Sequence, residues 1–262
     1  MICIGIDLAW SPRNPSGVAV LVADRAGQVG TLRETQLVQP MEAIIAYVVQ
    51  HAADQPAIVA VDAPLRVPNE QGRRPAEAEL GRIFARYQAG AHPANRQRLS
   101  FDGVVRGEQL VQQLAAHGFH ESDGHDLAAC SATHRPIIEV YPHAAMVALF
   151  GLERTLKYKV KPHYSAEFRL AEWARYQAYL RDLDHATPAL HVPNGLLEQD
   201  VSALRGRQRK AYEDQVDALL CAYIGLYVYT WGQQRCRTFG TLATGALIVP
   251  MPAQAWAGDA MG

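Results

Sequence analysis

The chain has 262 residues, of which 49% are hydrophobic and 19% charged, and its net charge is −1. That composition suits a well-cored globular domain. It excludes a disordered chain and a binder that relies on bulk positive charge.

No apolar run reaches the ~18 residues that a membrane-spanning helix needs. The four cysteines, at 3, 130, 221 and 236, contain no Cys-x-x-Cys pair and do not read as a disulfide framework. The first residues enter a strand pattern directly, without the basic and then apolar segments of a signal peptide. We therefore expect a cytoplasmic protein with no disulfide partner and no membrane association.

Residues 2–8 read as a buried strand, and the Pro- and Gly-interrupted stretch 11–17 as a loop. Strands follow at 17–23 and 29–38, giving an antiparallel meander of three. Residues 40–53 form a helix, with Pro40 at its start and apolar side chains at 41, 44, 45, 48 and 49. The uninterrupted apolar run 57–61 reads as a central parallel strand. A meander, a helix and a return strand place the first and fourth strands side by side in parallel. Residues 66–135 read as a helical, Arg-rich insertion within a single domain spanning 1–262. Helices are expected there near 76–89 and 104–117. From Arg66 to Arg106 the insertion carries eight Arg (66, 73, 74, 82, 86, 96, 98, 106) against four acids (70, 77, 79, 102). A further strand is expected at 136–140, helices at 142–149, 166–181 and 210–231, and a last edge strand at 246–249. The fold class is α/β, with a mixed five-stranded sheet of antiparallel meander plus parallel strands, flanked by helices.

Five carboxylates stand at the edges of the most apolar segments. Asp7 ends the first strand, Asp62 the fourth and Glu139 the fifth, and Asp214 and Asp217 open the long apolar helix. A carboxylate beside a core element is costly to desolvate unless it is paired or binds a cation. Asp7 and Asp62 should leave neighbouring parallel strands at the same end, where open α/β sheets place their ligands. Asp214 and Asp217 share a helix face that continues through Ala218, Cys221, Ala222 and Gly225, small residues that let a helix lie close on a sheet. Plainer roles compete: a turn cap for Asp7 or Asp62, an ion pair with Arg135 for Glu139, and ion pairs with Arg209 or Lys210 for the helical acids. On the sharper reading, Asp7, Asp62, Asp217, Glu139 and Asp214 are catalytic. Asp7, Asp62 and Asp217 then hold one or two Mg²⁺ or Mn²⁺ ions, since such hard cations take carboxylate oxygens plus water and phosphate.

The segments Gly5-Ile6-Asp7-Leu8, Val61-Asp62-Ala63-Pro64-Leu65, Glu139-Val140-Tyr141-Pro142-His143 and Asp214-x-x-Asp217-Ala218 together resemble an uncharacterised, domain-of-unknown-function family of predicted nucleases with a ribonuclease H-like fold. The last of these segments also resembles the final helix of Holliday junction resolvase-type domains. The resemblance implies that Asp7, Asp62 and Asp217 are the metal-binding carboxylates, that Asp214 is a paired acid and that Glu139 is a motif residue. It departs from ribonuclease H proper at the helix after the third strand, which offers only Glu42, at its first turn.

Arg135, His143, Lys157, Lys159, Arg73 and Arg74 are candidate substrate contacts. Arg suits bidentate, sequence-independent contacts to a phosphate backbone, and His143 has the chemistry to protonate a leaving group. His117, His120 and His125 lie close together but have no matching Cys and fit no familiar zinc spacing. The expected function is metal-dependent phosphodiester hydrolysis of DNA or RNA. The alternatives are an actin-like ATP-dependent small-molecule kinase and a non-catalytic nucleic-acid- or protein-binding module. The kinase reading lacks a Gly-rich phosphate loop after Asp7.

Overall fold

The computed structural model describes residues 1–256 apart from Arg25 and Asn194. Strands β1 (Ile2–Asp7), β2 (Ser16–Ala23) and β3 (Val29–Val38) form the expected antiparallel meander. Helix α1 (Met41–Ala52) leads back to β4 (Ala57–Val61), which pairs in parallel with β1. The next stretch holds α2 (Pro75–Phe84), α3 (Arg96–Leu99), a short hairpin of β5 (Ser100–Phe101) and β6 (Val104–Val105), α4 (Arg106–Ala115) and β7 (Phe119–Glu121). Strand β8 (Arg135–Glu139), α5 (Pro142–Leu149), α6 (Ala166–Asp182) and β9 (Ala189–His191) follow. Helix α7 (Gly206–Trp231) precedes the final hairpin, β10 (Cys236–Thr241) and β11 (Gly245–Pro250).

The fold is mixed α/β. Its main sheet has seven strands in the order β7-β8-β4-β1-β2-β3-β9 rather than five. The two additional strands, β7 and β9, are three-residue edges that pair in parallel with β8 and β3. Phe-His-Glu and Ala-Leu-His are too short to show a period in sequence. The expected edge strand at 246–249 is also corrected. It lies in β11, which pairs with β10 as a separate hairpin and meets the main sheet through one parallel bridge, Val140 to Ile248. Among the described residues, no helix is long and apolar enough to cross a membrane, and all four cysteines are free.

Strand alternation sorts the core into two faces. Ile2, Ile4 and Ile6 of β1 pack under α1 with Leu110 and Leu114 of α4. Cys3 of the same strand faces the other way, into the core built on α7. A third cluster joins α2 to α5 and the final hairpin through Leu80, Phe84, Val147, Phe239 and Leu247. The segment between β4 and β8 therefore contributes to all three cores, Leu127 joining the α7 side, and its strand β7 belongs to the main sheet.

Helix α7 is almost wholly buried from Tyr212 to Val228. It lies directly on β1 and β2 because two strand positions carry no side chain. A Cβ at Gly5 would fall 2.0 Å from Ala218 O, and one at Gly17 would fall 1.9 Å from Asp214 O. At Gly225 the helix approaches β4, where an added Cβ would lie 3.2 Å from that of Ala60. This close approach carries the helical acids to the ends of the strands.

Candidate active site

Asp7 and Asp62 are neighbours. The β1–β4 register sets Ile6 beside Val61, so the next residues leave adjacent parallel strands at the same level. The Asp62 N–H donates to Ile6 O at 2.9 Å and extends that pairing by one step. By alternation from Cys3 and Gly5, Asp7 faces α7, and its carboxyl lies beside that of Asp214. Lys210, one turn before Asp214, sits 2.6 Å from its Oδ1 and also reaches Glu213 at 2.8 Å.

Asp217 is placed differently from the other acids. It is 1% exposed. Its Oδ1 accepts from the Tyr158 hydroxyl at 2.6 Å and from the Tyr176 hydroxyl at 3.4 Å. Its Oδ2 lies 2.8 Å from Lys159 Nζ. Two phenols thus hold Oδ1, while Oδ2 is buried beside the Lys159 ammonium and accepts no hydrogen bond among the described residues. Among the described residues, no three of the acids at this end of the sheet bring their ligand oxygens within 4.8 Å of one another.

Glu139 turns away. Ile138 and Val140 belong to the α7 side and Ile137 to the α1 side, so Glu139 points toward α1 while Asp62 points toward α7. Its Oε2 accepts from the Leu65 N–H at 2.9 Å and from Arg74 Nη1 at 2.9 Å. Arg74, 2% exposed, also donates from Nε to Glu77 at 2.7 Å and from Nη1 to Arg66 O at 2.9 Å. The structure thus places Arg74 in a buried ion-pair network that pins the chain just beyond Asp62. Arg73 is exposed beside it.

Arg135 stands at the opposite end of β8 from Glu139, about 13 Å away at strand spacing. Its guanidinium donates to the carbonyls of Ala53 and His117 and lies over the Phe119 ring. The structure thus brings it neither to Glu139 nor to the other acids.

The charges explain the titration of the site. Burial, with the neighbouring Asp217 and Asp214 carboxylates, drives Asp7 well above the usual carboxylate range, against the pull of Lys159. Burial and the carboxylates of Asp217 and Glu139 push Asp62 up to about 7, again opposed by Lys159. Burial also raises Asp214, with Lys210 pulling back. For Lys159 burial alone would lower the value, but Asp217, Asp7, Glu213 and Asp62 outweigh it and hold the ammonium charged. His143 is pushed down to about 3, by burial first and then by Lys159. Its Nδ1 lies 3.3 Å from Thr155 Oγ1. Burial thus favours the neutral ring, which suits a hydrogen-bonding role better than that of a general acid.

These groups border a cleft of about 1530 Å³ whose wall includes Asp7, Asp62, Asp214, Glu139 and His143, ringed by Lys157, Lys159, Lys161, Arg13, Arg98, Arg207 and Lys210. Lys157 Nζ donates to Gln88 O at 3.2 Å on its rim. Trp10, 57% exposed, stands on the same wall.

Residues 5–241 match a family model described as Protein of unknown function (DUF429). The chain belongs to this family. The matched span begins two residues before Asp7 and runs through α7, so every acid and base of the cleft lies within the DUF429 domain. No curated protein and no solved structure matches the chain.

Sequence reasoning missed several residues in and behind this DUF429 cleft. Tyr158 and Tyr176 sit on a loop and a helix that no pattern ties to Asp217. Lys157 and Lys159 were expected contacts, and the cleft adds Lys161, Arg207 and Lys210 to them from two distant segments. The one legible signal was the tight Lys-x-Lys-x-Lys spacing at 157–161, which puts three ammonium groups on one extended stretch.

Proposed function

We propose that this protein is a divalent-metal-dependent nuclease with a ribonuclease H-like fold that cleaves phosphodiester bonds in DNA or RNA. The observation that carries the proposal is the pairing of Asp7 and Asp62 on adjacent parallel strands, at the floor of a cleft edged by lysines and arginines. The five central strands, β3-β2-β1-β4-β8, follow the meander-plus-parallel arrangement expected of that fold.

The donor set fits a hard cation. Asp7 and Asp62 titrate upward partly because other carboxylates lie nearby, and this repulsion is what a divalent ion relieves. Mg²⁺ and Mn²⁺ usually take one or two carboxylates and complete their shell with water and substrate oxygen. Asp7 and Asp62 would supply those carboxylates, with Asp214 beside them. Asp217, held by two tyrosines and Lys159, serves better as the anchor that fixes Lys159 than as a ligand. When bound, the ion would lower the pKa of an attacking water and neutralise charge on the leaving oxygen.

The chain's own residues supply the rest. Lys159 holds a fixed positive charge beside the scissile phosphate, and Lys157, Lys161, Arg207 and Lys210 hold the flanking backbone without reading sequence. Trp10 offers an exposed ring on which an unpaired base can stack.

The test is cleavage of labelled single- and double-stranded DNA and RNA by purified protein with Mg²⁺, Mn²⁺ or a chelator. Cleavage should require metal and fall at least ~100-fold in Asp7→Asn and in Asp62→Asn. Metal-dependent cleavage that survives in both variants, or failure to cleave any of these substrates, would overturn the proposal.

A further inference from the structure

A second cluster lies at the edge of the sheet, away from the carboxylate cleft. His120 is the middle residue of the edge strand β7. Asp126 lies in the loop that follows, and His134 directly precedes β8. The Nε2 atoms of both imidazoles converge on one oxygen, Asp126 Oδ2, at 2.6 Å from His120 and 3.0 Å from His134. The two rings lie 4.0 Å apart. All three donor atoms fall within 4.8 Å of one another, and among the described residues no other group of three His, Cys, Asp or Glu does so.

The surroundings orient the cluster. Ser122 Oγ donates to Asp126 Oδ1, leaving Oδ2 to the imidazoles. The loop before His134 is fixed by Ser131 Oγ, which accepts from the N–H groups of Thr133 and His134. The three side chains are 33 to 43% exposed, so water can reach a fourth position.

We propose that His120, Asp126 and His134 bind a late first-row divalent cation, Zn²⁺ foremost, completed by water. Two imidazole nitrogens and one carboxylate oxygen form a donor set that suits Zn²⁺ and disfavours Mg²⁺. A tetrahedral ion with ligand bonds of about 2.0–2.1 Å needs donor separations of about 3.3 Å. Opening the two Asp126 contacts by less than ~1 Å reaches that spacing. On binding, each Nε2 gives up the proton it shares with Asp126 Oδ2 to solvent, and the neutral ring carries its one remaining proton on Nδ1. Ser122 is the positioning residue that holds the carboxylate. The ion would staple the 122–134 loop to the short edge strand. The sequence hid this site because the partners of His120 are Asp126 and His134, not His117 and His125.

The test uses intact protein stripped of metal by chelation, titrated with Zn²⁺ by calorimetry and with Co²⁺ by visible absorption. One equivalent should bind at the histidine site, apart from any held by the cleft carboxylates. Zn²⁺ at about a hundredfold excess over its Kd should raise Tm by about 5 °C. His120→Ala and His134→Ala should each weaken binding at least ~10-fold and abolish the Co²⁺ ligand-field bands, and Ser122→Ala should weaken it by about 10-fold. The Asp7→Asn/Asp62→Asn double variant should keep the histidine-dependent equivalent and its Co²⁺ spectrum, which separates this site from the cleft. Unchanged affinity and spectrum in both histidine variants, or no saturable binding in the micromolar range, would overturn the proposal.

Discussion

Lys159 Nζ lies 2.8 Å from Asp217 Oδ2, while Tyr158, its neighbour in the chain, donates to Oδ1 of the same carboxylate. One carboxylate in the middle of α7 thus anchors the lysine-bearing segment over the strand ends. Removing one partner of a buried pair leaves the other charge uncompensated, which costs more than the pair contributes. Asp217→Asn should therefore destabilise the protein by about 3 kcal/mol. Adding Lys159→Met should recover much of that loss. Denaturant unfolding of the three proteins checks both statements, and an Asp217→Asn protein as stable as the wild type would contradict them.

Asp62 makes stability depend on pH in the opposite direction from an ordinary paired carboxylate. Its folded-state pKa is raised, to about 7, above an unfolded value near 3.9. The folded state therefore holds the proton more tightly. Its contribution is fully present below about pH 4 and is lost as pH rises through about 7. Asp62→Asn should be more stable than wild type at pH 8, on the order of 2 kcal/mol, and no more stable at pH 4. Mn²⁺ should raise the wild-type Tm more at pH 8 than at pH 5.5, because protons compete for the same oxygens. Thermal melts across that range give both readings.

Arg74 separates a structural from a substrate role. It sits between Glu77 and Glu139 and is almost wholly buried. Arg74→Met should cost about 3–5 kcal/mol by stranding the two carboxylates. The exposed neighbour should behave differently, with Arg73→Ala changing stability by less than ~0.5 kcal/mol. Lys161→Ala should likewise leave stability alone but weaken nucleic-acid binding and flatten its salt dependence by about one charge. Equal stability losses in Arg73→Ala and Arg74→Met would refute the distinction.

Much of this was legible in the sequence because it rests on local patterns. The uninterrupted apolar runs at 2–6 and 57–61, with a meander and a helix between them, were enough to set Asp7 beside Asp62. The small-residue stripe from Ala218 to Gly225 signalled a helix packed hard on the sheet. The reciprocal signals, Gly5 and Gly17, were read only as strand residues, since nothing local says what backbone will approach them. What stayed hidden depends on long-range pairing. Glu139 was grouped with the aspartates because it also ends a strand. A single step of alternation sends it to the other face, toward an arginine 65 positions earlier in the chain. Arg135 lies four residues before Glu139, and along a strand that distance separates two ends of the sheet rather than joining one site. The histidine cluster was invisible for the same reason, since His120 and His134 meet only once β7 pairs with β8.

The central claim is that Asp7 and Asp62 together hold a divalent cation. Anomalous diffraction from a crystal soaked in Mn²⁺ tests it most directly. The account predicts a peak about 2.2 Å from carboxylate oxygens of both residues, absent from an Asp62→Asn crystal, with the Lys159–Asp217 pair intact beside it. A soaked crystal with no Mn²⁺ peak between Asp7 and Asp62 would contradict it.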